Sequence, residues 1–264
     1  MASDYHSRSE ISRSQIVTFL ESRRLYEATF VTKTVAPKEE THAMRIGTCS
    51  HLLALQPELF TRTVVEIPED KLASDGSRKG NAWKDFKAQC DADGIIPLKA
   101  EELAPVKGMA NALMARAGRF IGHKDAKFEY EIAWTDPETG LDLRAMLDIV
   151  IPLADRVIVL DVKTTNDVSP HKFRHKIRDF GYWCQPPHYG AAVEAEFGVP
   201  CDFVFLAVES APPYLCRQYE LCPETRRDAG EKWRQALFDM AECYRTGDWS
   251  DECEEEIVPL TVML

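Results

Sequence analysis

The sequence predicts a chain of the α/β (α+β) class, with strands and helices folded around one core. Three observations carry that expectation. Residues 143–152 and 157–165 are apolar runs rich in Val, Ile and Leu, the composition of paired buried strands. Residues 127–134 alternate apolar and polar side chains in strand fashion, and residues 201–209 are strongly apolar. Residues 101–121 and 224–244 instead place apolar side chains at helical spacing. At 264 residues the chain can bury a sizeable core as a single domain. That domain reads as a mostly helical part (1–125), a central part (126–222) and a C-terminal helix with a tail (223–264).

In chain order, residues 1–10 form a frayed polar start. Residues 12–28 read as an amphipathic helix, with Ile16, Phe19, Leu20 and Tyr26 near helical spacing and Ser12 or Ser14 as its cap. Residues 35–41 are charged and contain Pro37, which marks a loop. Residues 44–55 read as a second helix, stopped by Pro57. A short strand is expected at 63–67 and a polar loop at 71–80, whose Arg78 and Lys79 read equally as phosphate contacts or as solvated charges. A helix at 83–90 ends in the turn 91–94. In the helix 101–121, Val106, Met109, Leu113, Met114 and Ala117 face inward. The strand 127–134 places Phe128, Tyr130, Ile132 and Trp134 on one face and Glu129 and Glu131 on the other. Turn residues at 136–140 make 141–151 its hairpin partner. Ser169 and Pro170 open a largely helical stretch to Phe197. A break is expected near Cys184, because Pro186 and Pro187 fit a helix start and not its interior. Strands at 201–209 and 214–221 pair through Pro212 and Pro213. Beyond the last helix, 251–256 is acidic and 257–264 apolar, which suggests a docked strand or an oligomer contact.

The net charge of −11 argues against a protein that simply coats DNA. One basic segment stands out: Lys163, Lys172, Arg174, Lys176 and Arg178, with His171 and His175. It reads as a line of DNA-backbone contacts or as a solvated helix face. The eight cysteines are scattered and show no C-x-x-C pair, so reduced packing residues are expected. No apolar run is long enough to span a bilayer, and the N-terminus lacks a signal peptide's apolar core; a cytoplasmic location without membrane contact is expected.

Two of the strands carry acids that burial penalises. Asp148 lies in the first apolar run and Asp161 in the second, with Lys163 two residues further on. Side chains at i and i+2 share a strand face, so Asp161 and Lys163 project together, and a hairpin can bring Asp148 beside them. Buried charge is costly unless it is paired or metal-bound. Two carboxylates and a lysine on one face make a hard-cation site with an ammonium next to it, the equipment for metal-assisted phosphodiester hydrolysis. Taken alone, these three residues read first as an edge-strand salt bridge. His51, set among Leu52, Leu53 and Leu55, taken alone reads as a core histidine bonded to a backbone carbonyl.

Asp148 followed by Asp161-Val162-Lys163 resembles the acid-then-Asp/Glu-x-Lys signature of the PD-(D/E)XK nuclease superfamily, and Thr164 and Thr165 follow the lysine. Residues 180–189, with Gln185 and Tyr189 one helical turn apart, resemble the Gln-x-x-x-Tyr helix of the RecE and lambda-type exonucleases. Residues 47–60, opening Gly47-Thr48 and carrying His51, resemble the upstream Gly-Thr-x-x-His helix of the RecE-like branch. The resemblance implies a mixed central β-sheet flanked by helices around a restriction-endonuclease-like core, with 126–222 as the catalytic part. It implies that Asp148, Asp161 and Glu129 hold Mg²⁺, with Mn²⁺ as the alternative. The Val162 carbonyl would add an oxygen, and His51 would be a ligand or stand behind one. Glu131 shares the predicted face of Glu129, so the upstream acid can slip by two. Lys163 would orient or deprotonate the attacking water, and Gln185 and Tyr189 would position the scissile strand or that water. The implied activity is 5′→3′ digestion of double-stranded DNA ends, leaving 3′ overhangs for recombination. The implied partners are a single-strand annealing protein and further copies of the chain in a ring-like homo-oligomer, a trimer or tetramer. Relatives of this core that carry iron–sulfur clusters have a fuller cysteine set than Cys216 and Cys222 supply, so no cluster is expected. The chain departs from the pattern where a proline usually precedes the first strand acid; here it is Leu147. A structure-specific or restriction-type endonuclease on the same core, and a non-catalytic DNA-binding protein, are the competing readings.

Overall fold

The Val-, Ile- and Leu-rich runs pair as a sheet in the computed structural model, which describes residues 8–36 and 41–251. The N-terminal elements are β1 (Ile11–Ser12), α1 (Arg13–Glu21), α2 (Arg23–Tyr26), α3 (His42–Leu55), α4 (Pro57–Thr63), β2 (Val64–Glu66), α5 (Gly80–Asp93), β3 (Ile96–Leu98) and α6 (Ala100–Ile121). Then follow β4 (Lys127–Thr135), β5 (Asp142–Pro152), β6 (Val157–Thr165), α7 (Pro170–Asp179), α8 (Gln185–Phe197), β7 (Cys201–Glu209), β8 (Cys216–Tyr219) and α9 (Pro223–Thr246). The main sheet has six strands in the order β1-β5-β6-β7-β8, with β4 also on β5. It is mixed: β4, β5 and β6 run antiparallel in turn, and β6 and β7 are parallel through the α7–α8 crossover. The predicted fold class is therefore the observed one. The predicted tail (252–264), most of the polar start (1–7) and residues 37–40 of the predicted loop lie outside the described residues.

Helices cover both faces. On one, α3 and α6 pack Cys49, Leu55, Met109 and Leu113 onto Ile149, Ile151, Leu160 and Val162. On the other, α7 and α8 pack Phe173, Ala192 and Val193 onto Val150, Val159, Phe203 and Phe205. A third apolar group joins α1 and α2 to α9, with Phe19, Tyr26, Trp233 and Met240 at its centre.

The expected strict alternation along β4 fails at one residue. Tyr130 and Ile132 pack with Leu147 on the α8 face, but Phe128 packs with Ile149 on the α6 face. The register is unbroken, Phe128 opposite Ile149 and Tyr130 opposite Leu147, so no residue has been inserted. Glu129 lies between them with a φ of 49°, in the left-handed region that a side chain normally avoids. That conformation swaps the faces of β4, and β5 changes faces at the same level, between Leu147 and Ile149. Leu147, which stands where the related pattern has proline, is fully buried beyond the swap.

Two helix expectations also change. The N-terminal helix is interrupted at Ser22, whose backbone is extended; its hydroxyl accepts the Leu25 N–H and donates to Asp251, so the chain restarts as α2 and ends in a π-turn. Met114, expected inward, is 44% exposed, because Val106, Met109, Leu113 and Ala117 already fill the buried stripe of α6. The break near Cys184 is present. A short 3₁₀ turn, Tyr182–Cys184, precedes α8, and Pro186 and Pro187 fall in the first turn of α8, where no N–H is required.

Candidate active site

The site lies where β5 changes partners. Along one edge of β5, β1 pairs with Leu143 and Arg144, and β6 begins pairing only at Ile149. Between those contacts β5 and β6 part. The Val162 N–H, which has left the ladder, donates to the Asp148 carboxylate at 2.7 Å. Helix α8 closes the same opening. His188 places Nε2 2.9 Å from the Arg144 carbonyl oxygen, and Trp233 donates to His188 Nδ1 at 3.3 Å, which fixes the tautomer with the proton on Nε2.

Three predicted ligands converge here: one ligand atom each of His51, Glu129 and Asp148 lie within 4.8 Å of one another. Each arrives by a separate device. Asp148 is held by the Val162 N–H. Glu129 owes its position to its left-handed backbone. His51 follows Gly47 by one helical turn on α3, and a Cβ on Gly47 would stand 3.0 Å from the Thr164 hydroxyl. The missing side chain thus seats α3 directly on β6, and His51 Nδ1 comes 3.9 Å from Asp148 Oδ2. A valine at Gly47 would push helix and strand apart. Gly47→Val is expected to weaken divalent-cation binding about tenfold and to cost about 1–3 kcal/mol of stability, read by calorimetric titration and thermal unfolding.

Asp161 stands beside this trio, not within it. It is buried; Oδ1 accepts from Gln185 Nε2 at 2.6 Å, and Oδ2 forms an ion pair with Lys163. Gln185 Nε2 also lies 3.2 Å from the Tyr189 hydroxyl, so the two residues predicted to share a helix face act as one brace behind Asp161. The Lys163 ammonium lies 3.5 Å from the Val162 carbonyl oxygen and 4.9 Å from the centre of the Tyr182 ring.

Burial, then the neighbouring Lys163 ammonium, pushes His51 down to about 4, so its imidazole is neutral near pH 7 and has a lone pair to give. Burial and the Asp161 charge push Glu129 up to about 7. Burial, then the Asp161 and Glu129 carboxylates, hold Asp148 well above the usual carboxylate range, against the opposing pull of Lys163 and the Val162 N–H. Carboxylates crowded against their own repulsion, beside a neutral imidazole, are a donor set that a divalent cation fits. The conformation at Glu129 tests the cost of building it. Glu129→Gly is expected to remove backbone strain and raise unfolding stability by about 1 kcal/mol while abolishing tight cation binding. Glu129→Ala loses the same carboxylate but keeps the strain, so it should lose binding equally and unfold about 1 kcal/mol below Glu129→Gly.

Of the two candidate upstream acids, Glu131 points away from the site and pairs with Arg8 at 3.5 Å. The basic residues Lys172, Arg174, Lys176 and Arg178 all lie on α7, which buries only Phe173. Lys172, Arg174 and Arg178 are exposed, and Arg178 is paired with Asp179. Arg78 is engaged by Glu102. Tyr182 is the neighbour of the site that sequence reasoning passed over. The available signal was its place three residues before Gln185, inside the segment already singled out.

A mixed sheet between helices, with acids from two parting central strands and a lysine two residues beyond the second, defines the PD-(D/E)XK nuclease class. The chain belongs to the family described as a PDDEXK-like domain of unknown function (DUF3799), whose model matches residues 12–257. Among solved structures it is similar to that of a "Putative exonuclease" from Eubacterium rectale, at 12% identity, over 100% of this chain and 96% of that one, with a TM-score of 0.61. At that identity the likeness is one of fold. Further structures include SSO0001 (14% identity, 84% of this chain and 83% of that one, TM-score 0.30) and a protein from Vibrio cholerae (10%, 91% and 59%, TM-score 0.26). No curated protein matches. Among the described residues no helix is long and apolar enough to cross a membrane.

Proposed function

We propose that this protein is a divalent-cation-dependent 5′→3′ exodeoxyribonuclease that digests linear double-stranded DNA and leaves 3′ overhangs for recombination by strand annealing. The observation that carries this reading is the convergence of His51, Glu129 and Asp148 beside the Asp161–Lys163 pair. Mg²⁺ or Mn²⁺, when bound, supplies Lewis-acid chemistry and an acidified water. His51, Glu129 and Asp148 would hold the ion, and Asp161 and the Val162 carbonyl would offer it further oxygens. Lys163 orients the attacking water or takes its proton, and its charge offsets the negative charge that develops on the phosphate. Asp161 aims Lys163, and Gln185 and Tyr189 hold Asp161. The exposed cations Lys172, Arg174 and Arg178, with Lys176, contact the DNA backbone, which reconciles a duplex substrate with the net charge of −11. Exonuclease over endonuclease rests on the Gly-Thr-x-x-His and Gln-x-x-x-Tyr segments, both of which reach this site. The same reading takes a single-strand annealing protein as partner and a ring of identical chains as the assembly.

Digestion of end-labelled linear duplex in Mg²⁺ or Mn²⁺, beside closed circular DNA of the same sequence and a sizing measurement, tests it. Loss of label from the linear 5′ end alone is expected. Cutting of the closed circle would identify an endonuclease, and no cleavage of either would end the hydrolytic reading.

A further inference from the structure

We propose that Phe180 and Tyr182 form an aromatic ledge that stacks an unpaired base of the strand being cut, so that this enzyme engages DNA ends whose terminal bases have separated. The ledge rests on the nuclease reading and names the form of DNA that reaches Lys163. Phe180 is 55% exposed, although an exposed phenyl forfeits the gain of burial. Its ring centre lies 5.7 Å from that of Tyr182, with the planes 30° apart, and the Tyr182 ring lies 4.9 Å from the Lys163 ammonium. A π-surface therefore runs without interruption from solvent to the proposed catalytic lysine.

The backbone holds this surface out. Gly181, between the two rings, has a φ of 62°, and a Cβ there would stand 2.7 Å from a methyl of Val17 on α1. The turn is pressed against a helix and has no room to withdraw. Cations flank both rings. The Arg13 guanidinium lies 5.9 Å from the Tyr182 centroid and donates to the Phe180 carbonyl at 3.5 Å, and the Lys176 ammonium lies 5.7 Å from the Phe180 centroid. Aromatic faces interleaved with positive charge are the chemistry that binds single-stranded nucleic acid: bases stack and phosphates meet the cations. An apolar protein partner would leave those cations unanswered.

The test uses duplexes with 2-aminopurine, a base whose fluorescence falls on stacking, as the last nucleotide of either the 5′ or the 3′ strand, its end paired or unpaired. Ca²⁺ replaces Mg²⁺ for binding, and Mg²⁺ is used in parallel for cleavage. The wild type is expected to quench the unpaired probe on the strand it degrades. Phe180→Ala should abolish that quenching and weaken binding of the unpaired end about tenfold or more; Phe180→Trp should restore both. Phe180 is exposed, so its variants fold, which thermal unfolding verifies. A wild type that cleaves without quenching, or a Phe180→Ala variant that quenches and binds as the wild type does, overturns the ledge and leaves the nuclease reading intact. Quenching that depends on Phe180 in a protein that cleaves nothing sustains the ledge and removes the hydrolysis.

Discussion

Lys163→Met is expected to lower hydrolysis of linear duplex about 10²- to 10⁴-fold while divalent-cation affinity stays equal or rises. The two effects separate because of where the ammonium sits. It pairs with Asp161 and lies against the Val162 carbonyl and the Tyr182 ring, outside the His51–Glu129–Asp148 trio. Methionine keeps the unbranched stem and removes only the charge. The carboxylates then lose a competing cation, which favours Mg²⁺, while the reacting phosphate loses both a proton carrier and a compensating charge. Asp161 keeps the Gln185 amide on Oδ1 but loses its ion pair. Breaking a buried pair destabilises a fold by several kcal/mol at most, and the partial exposure of Lys163 makes the cost smaller. Isothermal titration with Mg²⁺ and single-turnover cleavage report the two quantities independently. A Lys163→Met variant that cuts within tenfold of the parent would remove the lysine from the chemistry. Lys163→Arg keeps the charge on a wider, planar head and should recover little activity.

Much of this site was legible in the sequence, and the rest was hidden for identifiable reasons. Asp161 and Lys163 could be read because a strand's period of two is rigid and the apolar residues around them left little doubt about its extent. Gln185 and Tyr189 were placed on one face by helical spacing, and the two prolines gave the helix start. Glu129 could not be separated from Glu131, because period two gives both the same face. The left-handed φ at residue 129 breaks that rule, and no intrinsic preference of glutamate for such a conformation announces it. The packing of Phe128 was misread for the same reason. His51 was placed on a helix, but its arrival beside Asp148 depends on Gly47 meeting Thr164, a contact across more than a hundred residues. Ser22 interrupts a stretch whose apolar spacing continues through it, and what holds the break is Asp251, near the other end of the described chain. Local pattern fixed the elements; the long-range contacts that bring their side chains together were set by packing.

Asp148→Asn should weaken Mg²⁺ binding about 10²-fold or more and take cleavage of linear duplex below detection, yet leave the ion-free protein more stable than its parent. Asparagine has nearly the same shape, and its amide oxygen can still accept the Val162 N–H, so the parting of β5 and β6 survives. What disappears is a buried carboxyl that must either take up a proton on folding or face the Glu129 and Asp161 carboxylates. Like charges at short range in a poorly solvated place oppose folding, and their partial removal should raise the unfolding free energy by about 1–2 kcal/mol in a chelating buffer. Saturating Mg²⁺ reverses the order. An ion that binds only the folded state stabilises it by about 2.7 kcal/mol at a hundred times its dissociation constant, and only the parent gains that in full. Thermal unfolding of both proteins, with chelator and then with Mg²⁺, should therefore show the two curves exchanging places. If the variant melts below the parent in chelator, Asp148 acts chiefly as the peg that holds Val162. If the curves do not cross in Mg²⁺, the ion is not bound through this carboxylate.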